Sequence, residues 1–346
     1  MAWGRAALVL VVAVVVAAAL VSGGPRDESF RLRGDPHWLE RATPLGSKAP
    51  GWARRMYRRS LLVLQAMTDR RTGAVVAGRR DGWEYVWPRD ASAVAMAFAS
   101  AGYRGEARRA VRFLLGLDLE AAARFHEDGT PVEGRAAQGD AAGWVEAAAR
   151  AVGLKAQAGT QPWQGQADYQ EGDPGDYLGN AIAAAGEPKD HLQVRPSVRR
   201  PAEKKIRRNF EAGGVLVREA GEPGSGVDSA AAWAVRPFPQ PALYPLVRRT
   251  LLRIAATSGR FGIVPSQNWN GGVDPWTAPT AWAAWSLAAL GERPAALKLM
   301  AELRRAATPS GLLPERVDSR TGAPTSTTPL AWSHAFLVLT LRRLWP

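Results

Sequence analysis

The sequence predicts a mainly α-helical protein whose helices lie in two layers, and three observations carry that prediction. First, from Trp52 onward the apolar residues recur with helical spacing. Tyr57, Leu61 and Leu64, then Ala91, Val94 and Phe98, then Leu243, Val247, Leu251 and Ile254 each share one helix face. Second, no convincing run of alternating apolar and polar residues marks a strand. Third, one connection occurs twice. Ala97-Phe98-Ala99-Ser100-Ala101-Gly102-Tyr103-Arg104-Gly105-Glu106-Ala107 and Ser286-Leu287-Ala288-Ala289-Leu290-Gly291-Glu292-Arg293-Pro294-Ala295-Ala296 both join an almost wholly apolar helix to a basic amphipathic one through a glycine. Buried helix, glycine turn, half-exposed helix is the unit of a helical toroid or solenoid.

The 346 residues suffice for one large domain or two ordinary ones. In chain order, Arg5 and the apolar run Ala6–Val21, followed by Ser22-Gly23-Gly24-Pro25, read as an export signal or an N-terminal membrane anchor over residues 1–24. The run is shorter than the roughly 20 residues of a full span. The expectation is an exported protein, secreted or held on the outer face of the cytoplasmic membrane, with membrane contact through this segment. Residues 25–51, rich in Gly, Pro and charge, read as a linker or loosely docked arm, and residues 52–346 as the helical domain. The stretch 172–212 is interrupted by prolines. One short helix is expected near Tyr177–Ala185 and another in the basic run up to Phe210.

Composition narrows the chemistry. No cysteine is present, which excludes disulfides and thiolate catalysis; the four His residues show no helical ligand spacing, so neither metal nor other cofactor is expected. The net charge of +13 is spread along helix faces, with one dense run at Arg199-Arg200, Lys204-Lys205 and Arg207-Arg208. That is the pattern of a solvated basic surface, and no nucleic-acid partner is expected. The 14 Trp serve mostly as core, although flat aromatic faces also stack on sugars.

Two segments carry the chemistry. Glu315 lies on the Gly- and Pro-bounded loop Gly311-Leu312-Leu313-Pro314-Glu315-Arg316-Val317-Asp318, before an apolar helix opening at Pro329-Leu330-Ala331-Trp332-Ser333-His334. A carboxylate on a rigid loop between helices is free of helix hydrogen bonding, as catalytic acids and bases often are. Glu171, in Ala167-Asp168-Tyr169-Gln170-Glu171, is its candidate partner, and two carboxylates facing one cleft are the minimum for glycosidic cleavage. The second segment is Asp81-Gly82-Trp83-Glu84-Tyr85-Val86-Trp87-Pro88-Arg89-Asp90-Ala91. It puts Arg89-Asp90 in the first turn of a helix, either as a capping ion pair or as a buried pair that grips sugar hydroxyls.

At these residues the chain resembles the glucoamylase-type glycoside hydrolases of family 15. Trp87-Pro88-Arg89-Asp90-Ala91 is similar to the family's W-x-R-D block, Gln138-Gly139-Asp140-Ala141-Ala142-Gly143 to its Q-x-D-x-x-G segment, and Asp168-Tyr169-Gln170-Glu171 to the segment that carries its general acid. Asn270-Gly271-Gly272-Val273-Asp274-Pro275-Trp276 resembles its Pro-Trp block, and Pro314-Glu315-Arg316-Val317-Asp318 its E-x-x-D block. The resemblance implies an (α/α)6 toroid of six inner and six outer helices. It also implies Glu171 as general acid and Glu315 as general base. Arg89, Asp90, Trp87, Gln138, Asp140 and Trp276 become the substrate-binding residues. The implied reaction is inverting release of glucose from the non-reducing end of an α-linked oligosaccharide or polysaccharide; a monomer is expected. Two departures stand out: Gln170 replaces a Trp beside the acid, and Ile263 lies where many members place an Arg. They open a second reading, a cell-surface sugar-binding protein on the same toroid that has lost turnover. A third reading is an envelope scaffold that meets anionic polymer or lipid. Asp228 reads as a helix cap, His126-Glu127-Asp128 as a surface turn, and Trp332 as core.

Overall fold

The computed structural model describes residues 36–80, 82–156, 162–170, 173–186, 196–269 and 271–346. The apolar run 6–21 and Glu171 lie outside the described residues. Among those described, no helix is long and apolar enough to cross a membrane.

The helices are α1 (Pro36–Glu40), α2 (Gly51–Ala66), α3 (Pro88–Ser100), α4 (Arg104–Leu115), α5 (Ala141–Ala151), α6 (Leu178–Gly186), α7 (Pro196–Phe210), α8 (Tyr244–Ala256), α9 (Thr277–Ala289), α10 (Arg293–Ala306) and α11 (Ala331–Leu344). A 3-10 segment spans Ser229–Ala234, and a two-residue hairpin pairs β1 (Glu211–Ala212) with β2 (Val215–Leu216). Both helices expected in 172–212 are present, as α6 and α7.

Helix chemistry sorts these elements into two layers. In α3 every residue from Pro88 to Phe98 is buried, and in α11 nearly every residue is. A helix buried all round belongs inside. In α2 only Ala53, Met56, Tyr57, Ser60, Leu61, Val63 and Leu64 are buried, and in α4 only Ala107, Ala110, Val111 and Leu114. Their arginines, the half-buried Arg59 excepted, face water. The inner members α3, α5, α6, the 3-10 segment, α9 and α11 each touch the next, and α11 returns to α3, so the ring closes. This is the (α/α)6 toroid. Among the described residues its outer layer comprises α2, α4, α7, α8 and α10, and the fourth inner position is a short 3-10 segment rather than a full helix.

The two repeated connections are the α3–α4 and α9–α10 hairpins, each turned by a glycine at positive φ (Gly102, 93°; Gly291, 86°). At Gly102 a Cβ would come within 2.8 Å of the Thr43 hydroxyl, so the turn needs glycine twice over. The loops that precede α3 and α11 also share a device. Asp69 accepts from the Arg71 and Thr72 amides, and Asp318 from those of Arg320 and Thr321, in matching Asp-x-Arg-Thr-Gly turns.

Aromatic rings fill the centre of the ring of helices. Trp144 of α5 meets Trp233 of the 3-10 segment edge-on at 5.1 Å, Trp233 meets Trp282 of α9 at 5.5 Å, and Trp282 meets Trp332 of α11 at 4.7 Å. The core thus accounts for much of the tryptophan content. Residues 36–50 lie against the outer layer: Trp38 stacks on Tyr103 at 3.9 Å, and the Thr43 amide donates to the Ala101 carbonyl.

Candidate active site

The inner helices present their N-termini to one mouth of the toroid. Trp87, Asp140, Asp228, Trp276 and Leu330 occupy the N-cap positions of α3, α5, the 3-10 segment, α9 and α11. Unpaired amides and the positive dipole ends converge there, which favours negative and hydrogen-bond-accepting groups.

Arg89 is the hub. One Nη1 donates to Gln138 Oε1 at 2.9 Å and to Asp140 Oδ2 at 2.8 Å, and the guanidinium lies 4.8 Å above the Trp332 ring. Asp90 Oδ2 is 4.0 Å from Arg89 Nε. Asp140 sits where a helix cap would, yet its side chain makes no capping bond and turns to Arg89 instead. Gln138 spends its amide on holding the cluster, since Nε2 donates to the Asp168 carbonyl at 2.6 Å. Trp332, expected as core, is both core and the platform beneath Arg89.

Burial pushes the Asp90 carboxyl up to about 7; Arg89 opposes the rise, while Asp140 and Glu315 add to it. For Arg89, burial alone would lower the pKa, but Asp140 and Asp90 outweigh it and raise it. Several buried polar atoms here have no hydrogen-bond partner among the described residues: Arg89 Nε, Asp90 Oδ1, Asp140 Oδ1 and the indole nitrogens of Trp87, Trp276 and Trp332. Each such atom costs about 1–3 kcal/mol when left without any partner. A mouth so equipped suits a ligand dense in hydroxyls.

A second network fixes the segment before Glu171. Asp168 accepts from the Gln170 amide at 2.9 Å and faces Arg218 at 3.4 Å. Tyr169 donates to Asp228 Oδ1 at 2.7 Å, and Gln170 is held between Asp228 Oδ2 at 3.3 Å and the Ser266 hydroxyl at 3.0 Å. Burial raises the Asp168 pKa against the pull of Arg218, and pushes Asp228 up to about 7 against the Ala230 amide that it caps. Asp228 is therefore the cap that was expected and also an anchor for Tyr169 and Gln170. The ring of Tyr169 points to the core, 5.3 Å from both Trp233 and Trp282, and Trp163 lies under Lys205 and beside Phe210.

Glu315 is buried on a loop tied at both ends. Its amide donates to the Thr327 carbonyl and its carbonyl accepts from Thr277, the first residue of α9, both at 3.0 Å. Oε2 accepts from the Ser326 hydroxyl and lies 3.5 Å from Arg316 Nε. Two residues earlier, the Leu313 amide donates to His334 Nε2 at 3.0 Å, and His334 Nδ1 lies 2.8 Å from Ser60 Oγ. Since Nε2 accepts, the proton of the neutral ring resides on Nδ1. Burial, with a smaller contribution from Arg59, pushes His334 down to about 3. Asp318, in contrast, belongs to its Asx turn.

The structure thus brings Arg89, Asp90, Gln138 and Asp140 into one cluster and sets Glu315 within electrostatic range of Asp90. Trp276 joins Glu315 through the backbone, pairing with Arg316 on one side and Ile263 on the other. Its ring meets Trp269 edge-on at 5.1 Å. The Trp87 ring is covered by Arg135 and Arg124, at 5.3 and 5.8 Å. Sequence reading did not single out Arg218, Ser266 or Ser326, and it gave His334 no role. Only the Ser-His spacing beside Trp332 offered a signal for any of them. Among the described residues, no group of three or more acidic or His side chains is placed to hold a metal ion.

A family model, "Glycosyl hydrolases family 15", matches residues 51–126, which include α2, α3 and the Arg89-Asp90 block. Comparison with curated protein sequences gives no match. Among solved structures, a wild-type glycosidase superposes with a TM-score of 0.70 at 22% identity, covering 90% of this chain and 99% of its own. A bacterial glucoamylase complexed with acarbose gives 0.65 at 19% identity, over 89% of this chain and 57% of its own. The glucoamylase from Saccharomycopsis fibuligera gives 0.64 at 14%, over 87% and 97%. The motifs, the family model over the first hairpin and the fold over most of the chain agree on one likeness, to the glycoside hydrolases of family 15.

Proposed function

We propose that this glycoside hydrolase-like chain is an exported, inverting, exo-acting α-glucosidase that releases glucose from the non-reducing end of an α-glucan or α-linked oligosaccharide. The observation that carries the reading is the buried Arg89–Asp90–Asp140 cluster. Its unpartnered donors and acceptors line the mouth from which Glu315 acts on Asp90. Charged donors and acceptors bind hydroxyls more strongly than neutral ones do. In this reading Arg89 and Asp90 grip the terminal sugar, Asp140 and Gln138 hold Arg89, and Trp332, Trp87 and Trp276 offer indole N–H groups.

Glu315 is the general base. Its Ser326 and Arg316 neighbours are the partners a carboxylate takes, and the double backbone tie holds it still while it removes a proton from the attacking water. Glu171 is the general acid that protonates the leaving oxygen. The Asp168, Tyr169 and Gln170 contacts support it by pinning the three residues before it. Inversion requires the two carboxyls to stand roughly 6.5–9.5 Å apart, with the water between them and the anomeric carbon. Arg218, facing Asp168, supplies a cation beside the segment that precedes Glu171. Export rests on the basic-then-apolar N-terminal segment.

The test is a Glu315→Gln protein assayed on maltooligosaccharides, isomaltose and trehalose, with the anomer of released glucose read by NMR. Loss of turnover in the variant and β-glucose from the wild type support the assignment. Unchanged turnover removes Glu315 from its role, and α-glucose released from the non-reducing end of a maltooligosaccharide overturns inversion. Gln170 and Ile263 favour a second reading, binding without turnover. Oligosaccharide binding by wild-type protein with no glucose released selects it.

A further inference from the structure

The opposite mouth of the toroid holds a cavity of about 730 Å³ that the reaction does not use. Its floor is apolar: Met96 from the last turns of α3, Ala147 of α5, Trp285 of α9 and Leu339 of α11. Its rim carries four arginines, Arg104 and Arg108 of α4, Arg150 of α5 and Arg236 beyond the 3-10 segment, all exposed. Among the described residues, no Asp or Glu lines it.

Helix dipoles account for part of this. The C-termini of the inner helices point here and favour cations. Arg108 Nε donates to the Val152 carbonyl at the end of α5 at 3.1 Å, and Arg150 stands 3.7 Å from Glu146 of its own helix. The dipole does not account for Arg104. It occupies the first position of α4, where a cation opposes the dipole, and it forms no ion pair among the described residues. Arg236 likewise forms none among them. Arg108 lines the cavity with its Nε anchored.

We propose that this cavity is a second binding site, for a small phosphate-bearing ligand of about sugar size. Planar guanidinium forks match phosphate oxygens in pairs. The volume lies in the range of small-molecule sites, and the Trp285 face with Met96 and Leu339 covers the body of the ligand. The phosphate could be carried by a soluble sugar phosphate or by a lipid headgroup, and the test separates the two. The inference stands independently of the hydrolase reading, since it uses none of the residues at the other mouth.

The experiment is calorimetric titration of the full chain with glucose 6-phosphate, inorganic phosphate and glucose. In parallel, co-sedimentation uses phosphatidylglycerol and phosphatidylcholine vesicles. Arg104→Gln/Arg236→Gln removes two exposed guanidiniums, and Ser100→Glu instead places a carboxylate inside the cavity. The expected result is glucose 6-phosphate binding that weakens tenfold or more in both variants and is not displaced by glucose. A headgroup source would show as binding to phosphatidylglycerol vesicles alone, equally lost in both variants. Phosphate ligands and vesicles that bind the variants as they bind wild type overturn the proposal, as does absence of binding to the wild type.

Discussion

The two mouths of one ring of helices have opposite chemistry. At the N-terminal mouth the polar groups are buried and tied to one another: Arg89 reaches Asp140 and Gln138, Tyr169 reaches Asp228, and Glu315 is fixed by Ser326. At the C-terminal mouth exposed arginines surround an apolar floor; one of them, Arg108, caps α5 at Val152, and the half-buried Arg342 of α11 caps α3 at Ser100. One cause sorts both ends. The dipoles of parallel inner helices favour carboxylates at their N-termini and cations at their C-termini. What separates the mouths is burial, because only a dry pair of charges is worth several kcal/mol in either direction.

The largest test of that contrast is Arg89→Met. It strands Asp140 and Asp90 without their counter-charge, and breaking a buried pair in this way costs about 3–5 kcal/mol. Urea unfolding should show that loss, together with loss of glucose release. Glu315→Gln should lower kcat about 10²- to 10⁴-fold with little change in the unfolding midpoint, since only proton transfer is removed. If the midpoint falls sharply, the residue is structural.

His334→Ala leaves the Leu313 amide without its acceptor, a loss of about 1–3 kcal/mol. Because the amide lies two residues from Glu315, kcat should fall while KM holds.

pH probes the same contrast more gently. Asp90 and Asp228, with folded pKa values of about 7, hold protons that the unfolded chain has already lost. Their contribution is complete below the unfolded carboxylate value and is lost as pH rises through 7. Between the unfolded carboxylate value of about 4 and the folded value of about 7, each added pH unit removes about 1.4 kcal/mol per group. Asp228→Asn should flatten the decline between about pH 4 and pH 7. His334 acts in the other direction: with a folded value of about 3, it is fully stabilising above the unfolded histidine pKa and loses that stability as pH falls from about 6.5 toward 3. The smallest effect belongs to the exposed mouth. Arg108→Gln should cost no more than about 1 kcal/mol and leave glucose release unchanged.

Much of this was legible in the sequence because it depends on local rules. Apolar spacing marked α2, α3 and α8, and Gly102 and Gly291 marked the two hairpins. A buried pair was readable at Arg89-Asp90, where aromatics precede a proline-opened helix. The rest was not legible, since generic residues acquire their roles from distant partners. Asp140 has the position of a helix cap, and only the fold reveals that its carboxylate is taken by Arg89. Arg218 is one arginine among many until it meets Asp168, 50 positions away. Tyr169 stands two residues before a candidate acid, yet its ring faces the core.

The sequence alone determined the helical class, the order of buried and half-buried helices and the local chemistry of Glu315 and the Arg89 block. These follow from side-chain periodicity and turn residues, which act over a few positions. Tertiary structure decided which charges share a mouth, which polar atoms remain unpartnered and where arginines surround a cavity. Those outcomes depend on closing a ring from segments far apart in the chain, and burial, which sets the strength of every charge interaction, exists only once the ring is closed.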